Sequence, residues 1–402
     1  MMQTHSVDVA IVGGGMVGMA TALGLAQAGF EVAVIERFEP QPVDGEPRLR
    51  VSAINRASED WLKALGAWSL LPPERVAPYG AMQVWDKDSL GRIGFTAEQL
   101  QQPDLGHIIE NEAIAHALWQ RSLTQTGLRR FIATPQRVAQ GEREAWLTLD
   151  DGSMITARLL LAADGANSWL REQSHIPLTF RDYGHHALVA TIRTQYPHDG
   201  VARQVFLPEG PLALLPLAQP DLCSIVWSLP PAQAEVLSQA EPEAFNAALT
   251  VASEARLGCL QLASERATFP LTMRYARDFV RPRLALLGDA AHTIHPLAGQ
   301  GVNLGFGDSQ KLVAVLCGAR ANDWDIGDLR LLQRYGRARK AAAQEMLAAM
   351  DGLRWLFDGV DPVKKGLRDL GLNLVDRAGP LKDRLLRHAL GLESTMNGRH
   401  RD

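Results

Sequence analysis

The stretch from Val7 to Glu36, VDVAIVGGGMVGMATALGLAQAGFEVAVIE, constrains this 402-residue chain more than any other. VDVAIV is a β-branched run suited to a parallel strand buried on both faces. GGGMVG follows, placing Gly13, Gly15 and Gly18 in G-x-G-x-x-G register. MVGMATALGLAQAG predicts a helix ending at Gly29. EVAVIE predicts the next strand, closed by Glu36, 18 residues after Gly18. Strand, glycine turn, helix, strand and acid in that order mark a dinucleotide site. Gly13 permits a tight turn, Gly15 lets the main chain approach a pyrophosphate, and Gly18 lets the helix lie close to the strand. The helix N-terminus offers free amides and a positive dipole end to the phosphates. Glu36 can accept a hydrogen bond from the adenosine ribose of NAD or of FAD, so the fingerprint leaves both open.

From Val9 to Ala26 no residue is charged, which invites a reading as a signal peptide or membrane span. No basic residue precedes the run, and three consecutive glycines would weaken a continuous helix, so it divides into strand, turn and helix. The composition, 46% hydrophobic and 21% charged, is that of a globular chain with room for two or three domains. A net charge of -4 supplies no basic footprint for nucleic acid. Cys223, Cys259 and Cys317 are scattered without CxxC spacing. That argues against a disulfide framework or thiolate metal site, and a reducing cytoplasm fits.

Two further stretches repeat one logic. RLLLAADGANSWLR (158–171) runs an apolar strand into Asp164-Gly165, with Ser168 and Arg171 behind. RPRLALLGDAAH runs another into Gly288-Asp289. A carboxylate at the end of a buried strand is costly unless it is hydrogen-bonded, and the carboxyl ends of parallel strands are where α/β sheets hold ligands. Asp289 is placed to accept hydrogen bonds from a polyol; FAD carries a ribityl chain and NAD does not. No second G-x-G-x-x-G occurs, so a nicotinamide cofactor has no Rossmann site of its own.

GxGxxG near the N-terminus, DGxxSxxR in the middle, and GD followed by HxxxPxxGxGxN together resemble the single-component FAD-dependent aromatic hydroxylases of the para-hydroxybenzoate hydroxylase fold. Within that fold, RVSAINRAS, ADGANSWLR, HHALVATIRT, CSIVWSLP and GDAAHTIHPLAGQGVNLGF resemble the ubiquinone-biosynthesis hydroxylases, with the bacterial 2-octaprenylphenol hydroxylases as nearest likeness. The resemblance implies an α/β fold: a Rossmann-like FAD-binding domain with a parallel sheet, a mostly antiparallel β substrate domain, and a C-terminal helical region. Gly13, Gly14, Gly15, Val17 and Gly18 would cradle the FAD pyrophosphate, and Glu36 the adenosine ribose. Arg50 would lie along the cofactor, Asp164 would serve FAD and NAD(P)H contacts, and Asp289 would take the ribityl. Gly301, Val302 and Asn303 would face the flavin ring, with helix amides directed at charge accumulating on reduced flavin. Flavin C4a would be the reactive atom, forming a hydroperoxide near Pro296, so no protein nucleophile is expected. NADH or NADPH and O2 would be co-substrates, and a 2-polyprenylphenol would become the 6-hydroxyphenol. The alternatives are another ring position, a later benzoquinol intermediate, or a non-catalytic FAD-holding scaffold. Halogenation lacks its WxWxIP sequence.

His292 and His295 have i, i+3 spacing but no carboxylate or Cys at ligand spacing, so no metal is expected. His185 and His186 open an alternating strand, and at most one can face a pocket and act as a phenol base. The expected boundaries are 1–80, 106–178 and 276–330 for the FAD domain, 81–105 and 179–275 for the substrate sheet, and 331–402 for the helical region. In that last region Val363, Leu367, Leu370 and Leu374 share a face beside Lys364, Lys365 and Arg368. The pattern suits a peripheral contact with the inner membrane or with other ubiquinone-biosynthesis proteins, and equally a helix packed on its own domain. A cytoplasmic homo-oligomer is expected.

Overall fold

The β-branched runs form a parallel sheet because they are apolar on both faces and helices cover the sheet. The computed structural model describes residues 3–87, 91–293 and 301–357. In chain order its first half comprises β1 (Thr4–Val12), α1 (Met16–Gln27), β2 (Val32–Glu36), β3 (Val51–Ile54), α2 (Arg56–Ala64), β4 (Val76–Tyr79), β5 (Ala81–Asp86), β6 (Arg92–Thr96), β7 (Gly106–Glu110), α3 (Asn111–Leu123), β8 (Leu128–Ile132), β9 (Pro135–Gln140), β10 (Ala145–Leu149), β11 (Met154–Ala162) and α4 (Trp169–Gln173). The second half comprises β12 (Leu178–Thr194), β13 (Val201–Leu207), β14 (Gly210–Pro216), β15 (Leu222–Leu229), α5 (Pro231–Gln239), α6 (Pro242–Ala252), β16 (Leu260–Leu262), β17 (Ala267–Ala276), β18 (Val280–Arg281), β19 (Leu284–Leu286), β20 (His292–Thr293), α7 (Gly301–Ala321) and α8 (Leu329–Phe357).

The first sheet runs β18-β19-β11-β1-β2-β8, with β10 and β9 attached beside β11. Its pairings β19–β11, β11–β1, β1–β2 and β2–β8 are all parallel. The register decides where the three motifs emerge. Val12 lies level with Ala162 and with Ile35, and Ala162 lies level with Leu286. The strands therefore release Gly13, Ala163 and Leu287 side by side, at the carboxyl edge of the sheet. Here α1 and α7 cover one face, and Val9, Ile11, Leu23, Leu159, Leu161, Leu286 and Leu316 are buried in the same apolar cluster.

The second sheet runs β20-β17-β12-β15-β14-β13-β5-β6, with β16 on β12. It is antiparallel except where β13 meets β5. Period-two alternation along β12 separates two environments. Leu188, Ala190 and Ile192 join a cluster with Phe245, Leu249 and Ala234 under α5 and α6. Ala187 and Val189 face the other way. β20 lies next to the Gly288 turn yet pairs with β17, so the two sheets meet there. A third, three-stranded sheet, β3-β7-β4, is not anticipated by the sequence pattern. Ile108, Ala77 and Tyr79 from it pack with Leu215, Leu217 and Leu222 of the second sheet and the loop that follows β14. The amphipathic stretches from Val363 onward lie outside the described residues.

Next to the third sheet sits a buried ionic group. Glu59, 2% exposed, accepts Arg56 at 2.8 Å and Lys63 at 2.5 Å, with His107 at 3.3 Å. Arg56 also reaches Asp104 at 2.9 Å. Glu59, Asp104 and His107 are the trio of metal-type ligands that converges among the described residues, and Arg56 and Lys63 already supply positive charge there. Burial alone would raise the Glu59 carboxyl, but His107, Lys63 and Arg56 outweigh it and hold the pKa at about 2. Removing one partner from such a group costs roughly 3–5 kcal/mol. Glu59→Gln should therefore lower unfolding free energy by about 3 kcal/mol at neutral pH. Because the folded pKa lies below the ordinary value of 4.5, the wild-type advantage is complete above that pH and drains as pH falls toward about 2. Urea unfolding of both proteins across that range should show the two stabilities converging.

Candidate cofactor and substrate site

The glycine turn is built as its spacing requires. Gly13 adopts φ +101°, and a Cβ there would collide with the Ala163 carbonyl of the neighbouring strand. A Cβ on Gly18 would collide with the Gly13 carbonyl, so helix α1 touches the turn itself. Gly15 is different: nothing lies within 4 Å of where its Cβ would be. It is the N-cap of α1, and the space beside it opens onto a cavity. The crowded glycines serve the fold, and the uncrowded one serves whatever enters. Glu36 fastens the turn to β2, its Oε2 accepting the Gly14 amide at 2.6 Å and its Oε1 the Arg37 amide at 2.7 Å.

The cavity measures about 420 Å³, within the range of small-molecule sites. It is lined by Gly15 and Val17 from the first motif, Ala163 and Gly165 from the second, and Gly288 and Asp289 from the third, with Gly301 and Val302 opening α7. Arg50 enters from the loop before β3 and sits over the Phe269 ring at 5.8 Å. The opposite wall comes from the second sheet: Ala187, Val189, Val226, Phe269, Pro270 and Leu271. One side thus presents amides and the Asp289 carboxylate, and the other is almost wholly apolar.

The carboxylates differ in their company. Asp164 Oδ2 accepts the Leu170 amide at 3.1 Å, while Oδ1 is buried without a partner. Burial raises its pKa against the pull of Ser168 and the Leu170 amide. Asp289 keeps its side chain accessible from the cavity, yet the surrounding protein desolvates it and raises its pKa against the pull of His292 and Arg50. Both are acceptors in want of donors. Gly13, Gly14, Gly18, Glu36 and Asp164 stand around the cavity rather than in its lining, Gly14 having given its amide to Glu36.

Asn303 faces away from the lining. Its Oδ1 accepts the Asn55 amide at 3.1 Å and its Nδ2 donates to Ala53 at 2.8 Å, so its side chain ties α7 to the end of β3. Arg171 does not pair with Asp164; it donates to Ala290 and to Ala166, both at 3.0 Å, lacing the second motif to the third. His185 has its ring nitrogens at the Tyr183 and Glu209 carbonyls, and neither His185 nor His186 lines the cavity. Pro296 and His295 lie outside the described residues.

Sequence reasoning missed Arg274, Asp308 and Arg339. Arg274 donates to Ala166 at 3.0 Å and to Asn167, from β17 across to the second motif. Asp308, fully buried on α7, accepts His292 at 2.7 Å, the Gly288 amide at 2.9 Å and Arg339 at 2.5 Å. Burial opposes its charge, but His292 and Arg339 hold its carboxyl below the usual range. A charged residue in an otherwise apolar helix face was the available signal.

A family model described as "FAD binding domain" matches residues 6–350. The chain is 38% identical over 396 residues to the 3-demethoxyubiquinol 3-hydroxylase of Escherichia coli K12, covering 97% of this chain and all of that one. It is 34% identical over 433 residues to the human mitochondrial ubiquinone biosynthesis monooxygenase COQ6, covering 95% and 92%. Among solved structures, p-nitrophenol 4-monooxygenase PnpA from Pseudomonas putida superposes with a TM-score of 0.75 over the whole of both chains at 19% identity, a likeness of fold. The observed cradle fits FAD: open space at Gly15, an unpaired buried oxygen on Asp164, and an accessible carboxylate on Asp289.

Gly15→Val should leave thermal stability within about 1 kcal/mol of wild type yet abolish retention of FAD, since its side chain fills only ligand space. Gly18→Ala should instead destabilise the fold by about 2 kcal/mol or more, because it meets a main-chain carbonyl. Asp289→Ala should purify folded and without flavin. Thermal melts together with the flavin absorbance-to-protein ratio of each variant check all three.

Proposed function

The chain belongs to the FAD-binding domain family, and from that premise we propose that it hydroxylates the aromatic ring of a polyprenylated intermediate of ubiquinone biosynthesis. The observation that carries this is the two-walled cavity, with the cofactor-type wall facing an apolar wall fit for an unsubstituted ring edge and an isoprenoid chain. FAD, when bound, would supply the redox chemistry: acceptance of hydride from NADH or NADPH and transfer of one atom of O2 to the ring, the other leaving as water. The chain's own residues bind, orient and exclude. Asp289 would accept hydrogen bonds from the cofactor's polyol, and Glu36 with the glycine turn would hold the adenosine end. Gly301 and Val302, at the start of α7, place amides where negative charge gathers. Ala187, Val189, Val226 and Leu271 keep water from the reacting ring.

Two substrates are the candidates. Shared stretches such as RVSAINRAS and CSIVWSLP support a 2-polyprenylphenol taking its 6-hydroxyl. The whole-chain likeness to a 3-demethoxyubiquinol 3-hydroxylase supports a later quinol. Deleting this chain from its cells and analysing the accumulated quinone precursors by mass spectrometry separates them. A prenylphenol lacking its first added hydroxyl is expected for the former, a demethoxyquinone lacking its last for the latter, and an unchanged profile would end the proposal.

No helix among the described residues is long and apolar enough to cross a membrane. An isoprenoid substrate nonetheless resides in a bilayer, so a peripheral contact through the basic, leucine-rich stretch after Gly359 is part of the proposal. Truncation after Gly359 should reduce co-sedimentation with anionic lipid vesicles while leaving FAD bound.

A further inference from the structure

We infer that Asp308 is a positioning residue for the flavin site, holding the Gly288–His292 turn and the first turns of α7 in one fixed relation. A single oxygen, Oδ2, accepts both the Gly288 amide at 2.9 Å and His292 Nε2 at 2.7 Å. Those two residues bracket Asp289. The turn is therefore clamped on either side of the carboxylate that it presents to the cavity. Asp308 itself stands seven residues beyond Gly301 on the helix whose opening amides line the same cavity. Its other oxygen takes Arg339 Nε at 2.5 Å, and Arg339 donates again to the Leu304 carbonyl at 3.0 Å. The result is a chain of contacts from α8 through α7 to the turn, buried at Asp308, Gly288 and His292 and partly buried at Arg339.

The geometry explains why the turn has the form it has. Gly288 adopts φ +55° and lies against Val17. A Cβ on Gly305, one turn of α7 from Gly301, would meet Val17 Cγ2 at 2.6 Å, and lies only 3.5 Å from Gly288 Cα. Helix, turn and glycine cradle thus converge at van der Waals contact, with no slack for Asp289 to be reset once Asp308 is satisfied. His292 must carry a proton on Nε2 to donate to the carboxylate. Two regions that meet different parts of the cofactor, the Asp289 carboxylate and the α7 amides, are registered to each other by one buried group that touches neither cofactor nor substrate. The role rests on the assignment of Asp289 to the cofactor.

Asp308→Asn tests it, since the amide keeps the volume but cannot serve three donors. The holoenzyme is diluted and released flavin is followed by its fluorescence, at a temperature where circular dichroism shows the variant folded. FAD binding is expected to weaken about tenfold or more, with a changed fine structure in the visible flavin band. Asp325→Asn is the control for general loss of stability, because it breaks the Arg283–Asp325 pair (2.5 Å) elsewhere in the domain. That variant should melt earlier while binding FAD within about twofold of wild type. If D308N also stays within about twofold, the positioning role is overturned. Should D308N fail to fold, His292 provides the second arm. H292L should weaken FAD binding about fivefold, and H292Q, which restores an N–H donor, should recover most of that loss. Equal affinities for the two would overturn the role. D289A measured alongside keeps the premise separate: FAD bound normally by D289A removes the assignment of Asp289 and this inference with it. FAD lost from D289A but kept by D308N removes the positioning role alone.

Discussion

Everything about this site depends on the register of three neighbouring parallel strands. Val12 of β1 pairs level with Ala162 of β11, and Ala162 with Leu286 of β19. Each strand then runs into a turn whose first residue still donates to a neighbouring strand: Gly13 to Ile35, Ala163 to Val12 and Leu287 to Ala162. The glycine cradle, Asp164 and Asp289 emerge side by side although they are separated by more than a hundred residues in the chain. A slip of one residue in any of the three would turn its core face outward and carry its motif off the edge. The apolar character of the strands, which looks like simple core formation, is therefore also what aligns the polar groups.

Turns placed at a buried edge carry a second requirement. Their main-chain carbonyls cannot all reach water, and each must find a donor. The chain answers with arginines: Arg171 on the Ala290 and Ala166 carbonyls, Arg274 on Ala166, and Arg339 on Leu304. A guanidinium carries five donors in a rigid fork, so one side chain can bind two loops at fixed separation. The turns around the cavity are held by side chains from outside it, and the groups inside remain free for a ligand.

The glycine cradle was legible because its requirements are local. Crowding at Gly18, the opening at Gly15 and the reach of Glu36 all operate within one strand–turn–helix–strand unit, and the crowding at Gly13 comes from outside it, from Ala163. Asp289 was legible for a related reason, since a carboxylate at a strand end advertises its own cost. Asp308 was not, because its partners lie 16, 20 and 31 residues away and only tertiary structure brings them to one carboxylate. The β3-β7-β4 sheet escaped notice because its strands have four or five residues each, too few to show a period. For Asn303 the side chain's partners could not be read from spacing. Spacing puts it in the opening turn of α7, and the unmet main-chain groups at Ala53 and Asn55 take its amide. Sequence spacing says where a residue sits along a helix; it does not say which neighbour claims the side chain.

The division of the cavity into two walls bears on how such a site changes its substrate. The cofactor-type wall is fixed by strand register and by buried ion pairs whose removal costs several kcal/mol. The facing wall is one side of an antiparallel sheet whose other side, with Leu188, Ala190 and Ile192, is packed beneath α5 and α6. Residues at alternate positions of β12 and β15 can then vary in size without disturbing that packed side, since neighbours in sequence face opposite ways. Ala187, Val189 and Val226 are small enough that one added methylene would be felt by a ring lying against them, an effect worth about 1–3 kcal/mol. Under the proposed function, selection between ring substrates would fall to the sheet rather than to the motifs, because the motifs form the cofactor-type wall and the sheet forms the wall that faces it.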